Sequence, residues 1–177
     1  MLFPYAESKR IVLRPATTDD GRTVYDTLLR LGETALPTVD DFVEKSMAGV
    51  AARFLVHPRG LDTPVGFAEL VKLSQAGHVQ AGVHIEPGQD PSVQSDTAAL
   101  IVNFAFSMWR VRKVYLRTAR TSLDHLGFTG DNATLVHREA VLGEHLFFQG
   151  RLWDEYIFSV SRDDWNDRGI EMLNDIV

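Results

Sequence analysis

The chain has 177 residues, of which 45% are hydrophobic and 24% charged, and its formal net charge is −6. That length suits one domain of the usual ~100–200 residues, and the composition is that of a globular protein. The sequence has no cysteine, which excludes a disulfide framework, a thiol nucleophile and a cysteine metal site. The negative charge argues against a nucleic-acid partner.

We expect a single domain over residues 1–177 that lies in the cytoplasm. No apolar run approaches the roughly 18 residues of a membrane helix, so no membrane association is expected. The first five residues have no basic region followed by an apolar segment, as a secretory signal would. The six histidines show no metal-ligand spacing, so no metal site is predicted.

The first half of the chain predicts a strand, two helices and three further strands. Alternation predicts a strand over 9–15, and helical spacing predicts a helix that includes Val24 and ends at Gly32. Thr38 and Asp41 form a capping-box-like start for a second helix. The strands that follow are predicted over residues 53–57, 65–73 and 78–86.

The strand over 78–86 has two chemically distinct faces. Residues two apart share a face of a strand, so one face is apolar and carries Val79, Ala81, Val83 and Ile85. The other face carries Gln80, Gly82, His84 and Glu86. Polar and titratable side chains in such a row are candidates for a functional site.

The second half predicts a helix, a strand, a helix and a closing hairpin. Apolar spacing predicts a helix through Met108 that Ser95 or Asp96 caps. A strand over 113–118 and a helix over 132–141 follow. Strands over 144–148 and 152–160 form a hairpin around Gln149-Gly150. The segment over 161–177 is expected to be at least partly helical, with Trp165, Leu173 and Ile176 as its docking face.

This order resembles the GNAT superfamily of N-acetyltransferases. Three segments carry the resemblance: the opening Ile11–Asp20, the central strand ending in Glu86-Pro87, and the closing hairpin over 141–156. The hairpin is most similar to the branch that acetylates the N-termini of ribosomal proteins. The likeness covers roughly residues 9–165, which leaves 166–177 as a C-terminal extension.

The resemblance implies an α/β fold with a mixed, twisted sheet flanked by helices, whose two central strands splay apart around acetyl-CoA. The cofactor's pyrophosphate would rest on backbone N–H groups at the start of the next helix, where a helix N-terminus favours anions. By alignment the residues concerned are Val93, Gln94, Ser95, Asp96 and Thr97, with Asn132 from the last predicted helix. Gln94 and Asp96 stand where the family has small residues, and the Asp96 carboxylate would repel a phosphate.

Acetyl transfer to an amine requires a base, and the resemblance places the base on the central strand. Gln80 stands at the position of the family's glutamate, and an amide can orient an amine or a water but cannot take a proton. His84, on the same face, has an ordinary pKa near ~6.5 that suits proton acceptance at neutral pH. We therefore expect His84 to be the base, with Glu86 as the second candidate.

The resemblance implies an acetyl-CoA-dependent N-acyltransferase whose acceptor is a primary amine of a protein N-terminus or of a small molecule. It also allows a homodimer. The alternative is a repurposed, non-catalytic GNAT-like binding protein that no longer binds CoA in the usual way. That alternative is motivated by the missing loop glycines and the missing strand glutamate.

Overall fold

The computed structural model describes residues 4–33 and 36–177. Seven strands form one mixed sheet in the order β1-β2-β3-β4-β5-β7-β6. The strands are β1 (Ile11–Pro15), β2 (Val50–Pro58), β3 (Gly66–Ser74), β4 (His78–Ile85), β5 (Lys113–Thr118), β6 (Val136–Phe148) and β7 (Arg151–Ser161). The α-helices are α1 (Gly21–Arg30), α2 (Val39–Lys45), α3 (Pro91–Met108), α4 (Arg162–Asp164) and α5 (Ile170–Ile176). Among the described residues, no helix is long and apolar enough to cross a membrane.

The two central strands part along their length. β4 and β5 are parallel, joined by the crossover helix α3, and their pairing runs from His78–Lys113 to Ala81–Leu116. Beyond that point β4 continues to Ile85, and none of the residues that the structure describes pairs with it on the β5 side. The predicted mixed sheet with splayed central strands is therefore confirmed.

The two faces of β4 are those that the alternation predicts. Val79 and Ala81 are buried in the main core, which α3 covers. The opposite face carries the ring of His84, which stacks on Phe67 of β3. Phe67 belongs to a smaller core cluster on the α1 side of the sheet.

Helix α3 begins earlier than the sequence predicts. Asp90 is its N-cap, accepting from Ser92 N at 2.8 Å, and Pro91 occupies the first helical position. The expected cap at Ser95 or Asp96 is wrong, because those residues lie in the second turn. The Asx cap followed by proline is the stronger local start signal.

Asp96 instead anchors α3 to the start of the sheet. Its carboxylate is fully buried and accepts from Ser8 Oγ at 2.6 Å and from Arg10 Nε at 3.0 Å. A second nitrogen of Arg10 pairs with the other carboxylate oxygen. Ser8 Oγ also accepts from the backbone N–H of Ile11 at 3.1 Å, so the network fixes the entry into β1.

The predicted helix over 132–141 is wrong. Residues Gly130–Leu135 form 3-10 turns, and β6 begins at Val136, where it pairs with Val160 of β7. Hydrogen bonding to β7 therefore overrides the local pattern. The hairpin is longer than predicted, and its turn residues Gln149 and Gly150 both have positive φ (52° and 74°), as a tight two-residue turn favours.

The C-terminal segment packs into the same core as the sheet. Trp165, Leu173 and Ile176 are buried, as the sequence predicts. A π-helical turn over Trp165–Gly169 lies between α4 and α5, and a Cβ on Gly169 would lie 2.3 Å from the Trp165 ring. The C-terminal residues 166–177 therefore pack against the main hydrophobic core.

Replacing Arg10 by alanine should destabilise the protein, because it removes the cation that pairs with the buried Asp96 carboxylate. Since the Arg10 side chain is 44% exposed, we expect a loss of about 1.5–3 kcal/mol, the range for hydrogen bonds to charged groups. The control is Arg22→Ala, which breaks the exposed Arg22–Asp26 pair and should cost less than about 0.5 kcal/mol. Urea unfolding of both variants measures the difference, and equal losses would contradict it.

Candidate active site

A cleft of about 870 Å³ opens where β4 and β5 part. Its walls come from the unpaired end of β4, the first turns of α3 and the loop after β5. The principal lining residues are Val83, His84 and Ile85; Pro91, Ser92, Gln94 and Ser95; and Arg120, Asp124, His125 and Thr129. The volume lies within the ~300–1,000 Å³ of small-molecule sites.

His84 is the titratable residue of β4 that lines this cleft. Its ring stacks on Phe67 with centroids 4.4 Å apart and planes 18° apart, and its side chain is 32% exposed. Burial lowers the pKa of His84 below its usual 6.5, although the Glu69 carboxylate acts in the opposite sense. The imidazole is therefore neutral at neutral pH and able to accept a proton.

Gly82 provides the space that the His84 ring occupies. A Cβ at Gly82 would lie 2.8 Å from His84 Nε2. The ring therefore folds back along the strand over the one position of this face that has no side chain. A larger residue at position 82 would displace it.

Glu69 and Arg53 form an ion pair next to His84, and the sequence analysis named neither as a candidate. Arg53 donates to Glu69 Oε2 through Nε at 2.9 Å and through Nη2 at 2.6 Å. Glu69 Oε1 lies 4.0 Å from His84 Nε2. The available signal was a single carboxylate between apolar residues of a predicted strand, with Ala68 before it and Leu70 after it.

The other two predicted catalytic residues lie elsewhere. Glu86 accepts from Arg30 Nε at 2.9 Å and from Nη2 at 2.6 Å, so its carboxylate is paired at the end of α1. Gln80 lines a separate cavity of about 350 Å³ with Tyr115 and Arg117. Four residues of strand, or about 13 Å, separate Gln80 from His84.

The predicted phosphate-binding residues are divided between the cleft and the core. Gln94 and Ser95 line the cleft, and Gln94 Nε2 donates to the His125 carbonyl at 2.8 Å. Val93, Asp96 and Thr97 are buried, and Asp96 is paired with Arg10, so the expected repulsion between its carboxylate and a phosphate in the cleft is wrong.

Asn132 lies in the 3-10 turns before β6 and is not among the cleft-lining residues.

The first N–H groups of α3 are already used within the helix. Ser92 N donates to the Asp90 side chain, Val93 N donates to the Asp90 carbonyl at 2.9 Å, and Pro91 has no N–H. Polar side chains also line the cleft. Arg120 provides the positive charge, and the Ser92 and Ser95 hydroxyls can donate.

The loop that carries Arg120 is pinned to α3 at Gly127. This glycine has φ +85°, and a Cβ there would lie 2.7 Å from the Gln94 carbonyl oxygen. Only glycine meets both conditions, the left-handed backbone and the close approach. The loop is thereby held against the wall of the cleft.

Replacing Gly82 by alanine should move the His84 ring off Phe67, since the new methyl group cannot share its space. We expect a loss of about 1–3 kcal/mol, as in overpacked sites. Gly143→Ala in β6 is the matched control, because its nearest neighbour is Asp154 Oδ1 at 3.9 Å. NMR shifts of His84 and Phe67 with denaturant unfolding test this, and an unmoved ring would contradict it.

No family model and no curated protein matches the sequence. Solved structures match it in fold. A probable GNAT-family acetyltransferase from Chromobacterium violaceum is 16% identical, with a TM-score of 0.68, over 92% of this chain and 89% of that one. Spermidine N-acetyltransferase from Vibrio cholerae, in complex with CoA and spermine, is 17% identical, with a TM-score of 0.71, over 88% of this chain and 98% of that one. The chain therefore has the fold of the GNAT acetyltransferases.

Proposed function

We propose that the protein is an acetyl-CoA-dependent N-acyltransferase that acts on a primary amine. The observation that carries this proposal is the unpaired end of β4, which borders a cleft lined by the neutral imidazole of His84. The CoA-bound neighbour of the same fold supports it. We propose acetyl as the acyl group that is transferred.

The residues present fit an acyl-CoA. The pantetheine arm contains two amides, and the unpaired backbone of β4 offers N–H and C=O groups of the kind that pair with an added strand. Arg120 and the Ser92 and Ser95 hydroxyls would hold the phosphates. When bound, the cofactor supplies the activated acyl group as a thioester.

The reaction is direct transfer without an acyl-enzyme. The amine nitrogen forms a bond to the thioester carbonyl carbon, and the bond from that carbon to sulfur breaks. His84 would accept the proton that the amine loses, and the departing thiolate would take a proton from water. The imidazolium would then return its proton to the hydroxide that this water leaves, so that the protons balance and His84 is neutral again. Tyr115 of β5 and Tyr156 of β7 are the protein groups that could supply the proton of the thiolate in place of water.

Two acceptor classes are proposed. The closing hairpin, with its likeness to the ribosomal-protein branch, supports a protein N-terminus. The amine bound in the Vibrio cholerae neighbour supports a small-molecule amine.

The direct test has two parts. Calorimetry and thermal shift should detect acetyl-CoA and free CoA at micromolar to millimolar concentrations. Mass spectrometry should then detect a 42 Da gain on amines from a panel of N-terminal peptides and polyamines. Failure to bind either CoA species at millimolar concentration would overturn the proposal in favour of a repurposed binding protein.

Replacing His84 by alanine should lower kcat by about 10²–10⁴-fold, the usual contribution of a general base, with little change in CoA affinity. Because the pKa of His84 is lowered, activity should fall only as the pH drops below about 6.5, when the imidazole gains a proton. In the His84→Ala variant this loss of activity at acidic pH should be absent. An unchanged kcat and pH profile would show that water, and not His84, accepts the proton.

Replacing Arg120 by alanine should weaken CoA binding roughly 3- to 10-fold, because the cleft loses its cationic partner for phosphate. The control is Arg110→Ala, which removes an exposed arginine that does not line the cleft. The effect should shrink at high salt, as expected for an exposed ion pair. Isothermal titration calorimetry compares the affinities of the two variants for CoA. Equal affinities would show that Arg120 does not bind the phosphates.

A further inference from the structure

Beside His84, three residues lie in a row across strands β2, β3 and β4. Two of them are charged, and the third, on β4, is a glycine without a side chain. Arg53 of β2 is paired in register with Glu69 of β3, and Glu69 is paired with Gly82 of β4. Residues paired across strands present their side chains on the same face. The glycine therefore leaves a space beside the Glu69 carboxylate, and the His84 ring fills it.

Arg53 holds the Glu69 carboxylate in one orientation. Its Nε and Nη2 both donate to the same oxygen, Oε2, at 2.9 Å and 2.6 Å. The Arg53 side chain is only 7% exposed and also donates to the Ser46 carbonyl at 2.6 Å. The second oxygen, Oε1, is left on the His84 side, 4.0 Å from Nε2.

The ring of His84 has little freedom to turn away from that oxygen. Phe67 stacks against its face, and the Gly82 backbone lies next to Nε2. A separation of 4.0 Å is about 1 Å longer than a hydrogen bond, and catalytic hydrogen bonds commonly shorten when substrate binds.

We propose that Glu69 is a positioning residue that keeps the proton of neutral His84 on Nε2, so that Nδ1 is the nitrogen that accepts the proton from the amine. A carboxylate accepts hydrogen bonds and favours an N–H on the nitrogen nearest to it. The same carboxylate stabilises the imidazolium that forms as the amine loses its proton. This role rests on the proposed acyl transfer, but the tautomer exists without any substrate.

Other charged groups also act on His84. Burial lowers its pKa most, Glu69 raises it, Arg53 lowers it and Glu33 raises it. Arg53 is already paired with Glu69, and Glu69 Oε1 lies 4.0 Å from His84 Nε2. Glu69→Gln keeps an oxygen acceptor for Arg53 while removing the charge that His84 meets.

The experiment is a ¹⁵N NMR titration of the histidine rings in the full chain without acyl-CoA, with the His84 signal assigned by its loss in His84→Gln. In the native protein His84 should be the Nε2–H tautomer. Glu69→Gln should lower its pKa further and reduce the share of that tautomer. Glu69→Asp should restore part of both, and the exposed Glu44→Gln of α2 should change neither. Thermal unfolding checks that each variant is folded.

Kinetics complete the test. Glu69→Gln should lower kcat by about 10- to 100-fold, less than the loss of His84 itself, with KM nearly unchanged. A native Nδ1–H tautomer, or a tautomer and pKa that Glu69→Gln leaves unmoved, would overturn the proposal. If the NMR results are as expected but no amine is acetylated, the acyl-transfer proposal fails and the effect of Glu69 on His84 stands.

Discussion

The parting of β4 and β5 is the constraint on which the candidate site depends. A sheet interior normally satisfies every backbone N–H and C=O, and an unpaired strand end must find its partners elsewhere. Here β4 loses its pairing with β5 after Ala81, yet it stays paired with β3 through Ile85. The result is a strand held rigidly on one side and open on the other, directly above the start of α3. A linear ligand with alternating donors and acceptors suits that arrangement.

The opening is stable because the neighbouring elements are fixed independently of the missing pairing. Asp96 ties α3 to Ser8 and Arg10 at the beginning of the sheet. At the other end Arg162 donates to the carbonyls of Val111, Phe106 and Trp109, which joins the C-terminal segment to α3 and to the chain entering β5. The first set of bonds fixes the second turn of α3 and the second set fixes its last turn, while Gln94 joins α3 to the loop after β5.

The chemistry of the cleft follows from a missing side chain as much as from those present. Gly82 admits the His84 ring, and Arg53 turns Glu69 toward it. At the opposite wall, the tight approach at Gly127 holds the loop against α3. Each charge therefore sits at a defined place, although the cleft as a whole is not strongly basic.

The sequence by itself determined the alternation of β4, the crossover through α3, the turn at Gln149-Gly150 and the burial of Trp165. The two-residue period of a strand, the 3.6-residue period of a helix and the residue preferences of turns are local properties, so they can be read from the sequence alone. Only the tertiary structure decided that Asp96 faces Ser8 and Arg10, that Glu86 pairs with Arg30, and that Glu69 lies beside His84. The pairs Arg10–Asp96, Arg30–Glu86 and Glu69–His84 are 86, 56 and 15 residues apart in the sequence. Their contacts form only when the helices and strands are assembled. The segment from Val136 is a strand for the same reason, because β7 satisfies its backbone better than an isolated helical turn can.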